Sequence, residues 1–406
     1  MTDGHGRMTQ ASATTSAPGL PDRRLGLIVI LGALTAIAPL SIDMYLPALP
    51  RLTADLSTGA TQAQLTLTAC VIGLAGGQIV AGPLSDRWGR RRPLIAGLLG
   101  YSAASLACMV APSIETFIAF RLLQGATGAA GIVIARAIVR DLYEGVAAAR
   151  CFSLLMLVNG LAPILAPIMG GQLLRITPWP GVFAALSAIG VALLLAALFG
   201  MRETLPPEHR ETGGFRATLT TFRGLLGERS FMGYAIGAGL AFAAMFTYIS
   251  GSSFVLQEGY GMSPQAFSAV FGVNAFGIVL AGQVNRRLVG RIPVGRLLAT
   301  GLGTVAAGGV ALLVAVLAGA GLAVILPALF LVVAAQGLVL PNSAALALSG
   351  RPPKVAGSAS ALLGLAQFAI GGAAAPLAGG TAVPMAVTIA ACALAAVPAA
   401  WVASKN

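Results

Sequence analysis

Residues 297–350 read LLATGLGTVAAGGVALLVAVLAGAGLAVILPALFLVVAAQGLVLPNSAALALSG, with no Asp, Glu, Lys or Arg anywhere in the stretch. A hydrocarbon core of about 30 Å is crossed by about 20 apolar residues in a helix, so this stretch holds two crossings. Gly319-Ala320-Gly321 supplies the tight turn between them. The run lacks the alternation and the roughly ten-residue length of a membrane β-strand, which leaves helices. The same pattern fills the rest of the chain. Leu25–Ile42, Leu56–Ser85, Pro93–Ile114, Cys151–Leu174, Ile176–Met201, Ser230–Gln257 and Gly259–Asn285 are each free of charge. Thr116–Ala135 is interrupted only by Arg121, and Val355–Ser404 divides near Gly379-Gly380-Thr381 into two more spans. An all-α membrane protein of twelve transmembrane helices is expected. The composition agrees: 57% of the 406 residues are hydrophobic, 9% are charged and the mean hydropathy is +0.87, too little charge to cover a soluble surface of this size.

The net charge of +12 invites a nucleic-acid reading, but its placement argues against it. With the N-terminus inside, basic residues collect in alternate loops: Arg87, Arg90, Arg91 and Arg92; Arg140 and Arg150; Arg202 to Arg229; Arg286, Arg287, Arg291 and Arg296; Arg351 and Lys354. The opposite loops carry Arg51 and Arg175. This asymmetry follows the positive-inside rule and predicts both termini in the cytoplasm of a multi-pass protein of the cell (inner) membrane, with the lipid bilayer and no nucleic acid as partner. Residues 1–24 read as a disordered cytoplasmic tail, and the first apolar run is too long for a cleaved signal. Cys70, Cys108, Cys151 and Cys392 have no ligand spacing and read as reduced packing residues. The only histidines, His5 and His209, lie outside the spans, and no metal site, nucleophile constellation or phosphate loop appears. No enzyme, cofactor, metal or ATP drive is expected.

The longest basic connection separates six expected helices from six. The reading is therefore a six-helix bundle over 25–200, a cytoplasmic linker over 201–229 and a second bundle over 230–406. In the linker, Phe215, Leu219, Phe222, Leu225 and Leu226 form the apolar face of a surface helix. Internal repetition supports the division. Gly82-Pro83-Leu84-Ser85-Asp86-Arg87 recurs 200 residues on as Gly282-Gln283-Val284-Asn285-Arg286-Arg287. Ala166-Pro167-Ile168-Met169-Gly170-Gly171 recurs at an offset of 209 as Ala375-Pro376-Leu377-Ala378-Gly379-Gly380. Two parallel repeats predict a pseudo-symmetric transporter with its substrate site between the halves near the midplane.

These features resemble the major facilitator superfamily over about residues 24–404. GPLSDRWGRR, from Gly82 to Arg91, is similar to the family signature between helices two and three. Arg121-Leu122-Leu123-Gln124-Gly125 resembles its fourth-helix Arg motif. Asn159-Gly160 through Pro167-Ile168-Met169-Gly170-Gly171 resembles the fifth-helix motif of drug/proton exchangers, with Ala166 where a Gly is usual. With SIDMYLPALP at 41–50, the chain most resembles the bicyclomycin and chloramphenicol resistance (Bcr/CflA) subfamily of multidrug efflux pumps. The resemblance implies a bacterial, monomeric antiporter that exports small, mostly apolar compounds against protons. A proton-coupled uptake symporter for a small nutrient is the alternative.

An ionised carboxylate inside a span is costly unless it is paired or wetted, which makes Asp43 the candidate proton site; the bland alternative is solvation at the helix end. Arg121 sits at a similar depth, about two turns into the fourth helix. It either competes with the proton for Asp43 or bonds first-helix carbonyls structurally. At the cytoplasmic end, Asp86 is expected to meet helix N-termini of the other half or Arg136 and Arg140, and Arg87 to meet Asp141 or Glu144, forming a latch. Pro163 and Pro167 bend the fifth helix while Gly160, Gly170 and Gly171 permit close contact, a candidate gate or a packing device. Tyr45, Gln124, Asn159, Tyr248, Asn274, Gln336, Asn342 and Gln367 are candidate cavity residues.

Overall fold

A computed structural model describes residues 22–210, 222–351 and 353–404. Among these the chain forms twelve long helical spans: α1 Asp22–Asp43, α2 Ala60–Trp88, α3 Arg91–Met109, α4 Ile114–Leu142, α5 Gly145–Leu173, α6 Pro180–Gly200, α7 Arg229–Ser253, α8 Pro264–Leu288, α9 Val294–Leu317, α10 in two segments Leu322–Ala334 and Gln336–Leu348, α11 Pro353–Ala374 and α12 Ala382–Ser404. The first six pack mainly with one another, as do the last six. Eleven spans are long and apolar enough to cross a membrane. The remaining helix, α3, opens on Arg91-Arg92 and packs against α4 and α6. Most of residues 1–24, together with Phe215 and Leu219 of the expected surface helix, lie outside the described residues. Phe222–Leu226 are helical, with Leu225 buried beside Phe231 and Ala235.

Two boundaries are set by local chemistry. Ile114 belongs to α4 rather than α3, because Ser113 accepts the Thr116 backbone N–H and, with the Thr116 side chain returning to its own N–H, completes a capping box. The first helix does not run on past Asp43. It ends there, and the chain continues as a 3₁₀ turn over Leu46–Ala48 and a short helix Leu49–Asp55. Pro47 and Pro50 bring no N–H, so the carbonyls of Asp43 and Leu46 lose their helical partners.

The closest helix pairing sets α2 on α4. A Cβ on Gly73 would lie 2.2 Å from the Leu122 carbonyl oxygen, one on Gly77 2.1 Å from that of Ala126, and one on Gly125 2.0 Å from that of Cys70. Backbone meets backbone, and only glycine fits. Gly77→Val should therefore lower stability by about 1–3 kcal/mol or more by prising the helices apart. Gly76→Ala, at a neighbouring position with nothing within 4 Å, should be neutral. Thermal melting in detergent reads both, and equal midpoints for the two variants would refute the reading.

Candidate functional site

The broken end of α1 is held on nearly every side. The Ser41 hydroxyl donates to the Ile37 carbonyl at 2.6 Å and shares a 2.8 Å hydrogen bond with the Tyr101 hydroxyl. The Tyr45 hydroxyl meets that of Thr66 at 2.8 Å. A Cβ on Gly170 of α5 would come within 1.8 Å of the Met44 carbonyl oxygen, so α5 closes directly on the break. Among the described residues, the Asp43 carboxylate accepts no hydrogen bond, although Asp43 is only 5% exposed. It lies near enough to Tyr248, on α7 of the other half, to act on it electrostatically. Tyr248 accepts a 2.8 Å hydrogen bond from Asn274 and stacks on Phe271.

Arg121 is fully buried. One guanidinium nitrogen donates to the Ser41 carbonyl at 2.9 Å, another to the Gln124 side-chain oxygen, and the plane lies over the Tyr45 ring at 4.4 Å. Gln124 donates in turn to Ser105 at 2.8 Å. A planar fork with aromatic stacking is what a buried arginine accommodates and a lysine does not. Its bond runs to the first-helix backbone, two residues before Asp43.

At the end opposite the arginine-rich loops, five side chains among the described residues cross between the halves. Gln64 donates to the Gly379 carbonyl at 2.6 Å, Thr68 to Gly372 at 2.9 Å, Ser253 to Leu46 at 2.6 Å, Gln257 to Pro47 at 3.3 Å and Gln265 to Gly171 at 2.7 Å. Proline frees two of these acceptors: Pro50 cannot donate to Leu46, nor Pro376 to Gly372. Along the same seam Gly160 faces Val279 and Gly171 faces Ser268. Residues 41–47 thus lie directly beneath a closed seam.

The arginine-rich end is ionic, with its ion pairs inside each half. Arg90 donates to both carboxylate oxygens of Asp141, at 2.8 and 3.3 Å, and also bonds Asp86 and Ser85. Burial works against its charge, but Asp141 and Asp86 outweigh that and hold its guanidinium above the ordinary value. Glu203, just past α6, accepts backbone N–H groups from Arg90, Arg91, Thr204 and Leu205 at 2.7–3.2 Å. Burial would raise this carboxyl, yet the four N–H groups keep it below the usual glutamate range. Gly89, at φ +87°, leaves room for the carboxylate: a Cβ there would lie 2.4 Å from it.

A family model described as Major Facilitator Superfamily matches residues 31–376. The chain belongs to that superfamily. It is 40% identical over 367 residues to the uncharacterized MFS-type transporter YdgK of Bacillus subtilis, covering 89% of this chain and 91% of the relative. It is 30% identical over 369 residues to a bicyclomycin resistance protein homolog of Haemophilus influenzae, covering 90% and 92%. Its fold matches an inward-facing, unoccupied bacterial homologue of the human lysosomal transporter Spinster, with TM-score 0.76, 17% identity and coverage of 95% and 98%. The protein is a multi-pass membrane transporter with bacterial relatives, not an enzyme.

The superfamily fold redistributes the residues that the sequence singles out. Asp43 and Arg121 lie in one region, but Arg121 bonds the Ser41 carbonyl, the structural alternative. Asp86 and Asp141 are gathered by Arg90, not by Arg87, Arg136 or Arg140, because Arg90 follows the Gly89 turn and folds back over the end of α2. Arg87, Arg136, Arg140 and Glu144 are exposed. Helix α5 continues through Pro163 and Pro167. Tyr45 and Gln124 are wrapped around Arg121 rather than lining a cavity. Gln336 donates to the Ala241 carbonyl and Asn342 to Asn285, both within the second half. Asn159 bonds the Leu155 carbonyl of its own helix, and Gln367 is half-buried. Glu203 and the five seam donors escape the sequence reading, since a partner that is a remote backbone N–H or carbonyl leaves no motif.

Glu203→Gln tests the cap at the start of α3. A carboxyl held low stabilises the fold fully above the unfolded glutamate value of about 4.3 and loses that contribution as pH falls through its lower folded value. The variant should melt roughly 2 °C lower at pH 7, with the gap closing towards pH 4. A gap unchanged with pH would show that the charge is irrelevant.

Proposed function

We propose that this carrier exports small, mostly apolar compounds in exchange for protons, by alternating access between its halves, with Asp43 as the proton-binding group. The observation that carries the reading is a carboxylate 5% exposed, without a hydrogen-bond donor among the described residues, at the seam beneath a closed gate. Charge in such a place is costly, and a proton removes it. Arg121 then serves as a positioning residue that fixes the carbonyl of Ser41 and so the turn bearing Asp43. Asp86, Arg90, Asp141 and Glu203 form a cluster at the opposite end that can exchange partners when the halves rock, the role first assigned to Asp86 with Arg87, Arg136 and Arg140. Gly160, Gly170 and Gly171 are the close-contact points of the moving fifth helix. Tyr248, near Asp43, and its hydrogen-bond partner Asn274 line the substrate path.

Three features support export and the orientation. The bicyclomycin resistance homolog is similar over nearly the whole chain, and Tyr248, near Asp43, stacks on the aromatic ring of Phe271. The basic loops support an orientation with both termini on the cytoplasmic side of a bacterial inner membrane. A monomer suffices, because both halves reside in one chain.

Asp43→Asn keeps the shape and fixes the neutral state. In proteoliposomes with an imposed pH gradient and a panel of dyes and antibiotics, it should lose uphill transport by at least about tenfold while retaining downhill exchange. Compound uptake moving with protons, rather than against them, would instead establish a symporter. Undiminished compound-induced proton release from purified Asp43→Asn would move the coupling site elsewhere.

A further inference from the structure

Outside the seam, the second half carries a groove that transport does not use. It lies between α7, α9 and α12 at their arginine-rich ends, walled by Tyr234, Leu298, Gly303, Leu346, Ala400 and Trp401. The lining is almost wholly apolar. Nothing lies within 4 Å of a Cβ built on Gly303, so the space is real and not a slot closed by backbone. Trp401 is 58% exposed at its mouth, the position in which an indole marks the boundary between hydrocarbon and head groups.

The charge above this groove is unbalanced. Between residues 222 and 404 the chain contains two carboxylates, Glu228 and Glu258. Glu258 lies beyond α7 at the opposite end. Glu228 is taken by Arg351 at 2.6 Å. Arg229 opens α7 and Arg296 lies in the first turn of α9. Both are exposed, and neither has a carboxylate partner among the described residues. Arg291 stands just before them on the α8–α9 connection. In the first half the equivalent end holds Asp86, Asp141 and Glu203, all engaged with Arg90 or its neighbours. The positive-inside rule explains arginines on both halves, but not why only one half lacks acids to answer them, nor why that half has an open apolar groove beneath.

We propose that an anionic phospholipid occupies this groove, with an acyl chain between α7, α9 and α12 and its phosphate bound by Arg229 and Arg296. The guanidinium fork matches phosphate oxygens, and juxtamembrane arginines favour anionic head groups. A zwitterionic lipid offers the same chain without the net charge. The occupant is thus distinguished by its head group, and the site is independent of the proton-coupling reading.

The test is native mass spectrometry of the full chain titrated with phosphatidylglycerol or with phosphatidylcholine of identical chains. Wild type should retain one phosphatidylglycerol in preference. Arg229→Gln and Arg296→Gln should each weaken that binding by about fivefold and leave phosphatidylcholine unaffected. Gly303→Leu, which fills the groove without altering charge, should weaken phosphatidylglycerol retention too. Melting in phosphatidylcholine shows whether each variant is folded. In a separate readout, a bromo-acyl phosphatidylglycerol should quench a fluorescence component of wild type that is missing in Trp401→Phe. Equal retention of the two lipids, unchanged binding in the double arginine variant, or no Trp401-dependent quenching overturns the proposal. Loss with the arginine variants but not with Gly303→Leu overturns the groove as the seat of the chain.

Discussion

Everything at the centre of this transporter depends on the failure of α1 to continue past Asp43. Two prolines, at 47 and 50, withhold N–H groups that the helical ladder needs, and the backbone turns aside with its carbonyls unspent. A helix break inside a membrane protein is tolerable only where other groups satisfy those carbonyls. Here the partners come from two directions: Arg121 of α4 takes Ser41, and Ser253 at the end of α7, with Gln257 just beyond it, reaches across to Leu46 and Pro47, while Gly170 of α5 packs against Met44. Asp43 occupies the middle of this arrangement. Its backbone is fixed by neighbours on both sides while its side chain has no hydrogen-bond partner among the described residues, a combination suited to a group whose charge is meant to change.

The two ends of the bundle use different chemistry for different tasks, fastening the first half internally at one end and joining the two halves at the other. At the arginine-rich end, the fastening is ionic, with Arg90 between Asp86 and Asp141 and Glu203 gathering backbone donors. At the other end, it is wholly uncharged, made of glutamine, serine and threonine side chains on backbone oxygens. The ionic cluster responds to acid and to salt within about a Debye length, whereas the uncharged seam does neither. Under the proposed coupling at Asp43, the nearest gate is then insensitive to the pH of either compartment.

Much of this was legible in the amino-acid order. Hydropathy alone gives the spans, because a membrane forbids unpaired backbone and forces long apolar helices, and the glycine pairs at 319–321 and 379–380 fall at the observed turns. Asp43 and Arg121 stand out because charge inside such runs is rare. The choice of Arg90 over Arg87 was hidden, since four arginines crowd residues 87–92 and only the left-handed turn at Gly89 decides which one folds inward. Glu203 was hidden for a related reason: two of its partners are the backbone N–H groups of Arg90 and Arg91, more than a hundred residues away. Gln336 and Asn342 read as cavity residues but are consumed by Ala241 and Asn285, a choice that helix rotation makes and that periodicity in an almost uniformly apolar chain cannot reveal.

The five hydrogen bonds of the seam have a thermodynamic consequence. A seam bond of this kind is worth about 1 kcal/mol net, because water replaces it when the halves part. Five of them amount to roughly 5 kcal/mol, the order needed to move a two-state equilibrium from one extreme to the other. The resting population of the two states is therefore a quantity that evolution can tune in small steps. Each polar side chain added to or removed from the rim shifts the balance by about fivefold, with no change to the fold and none to the chemistry at the centre.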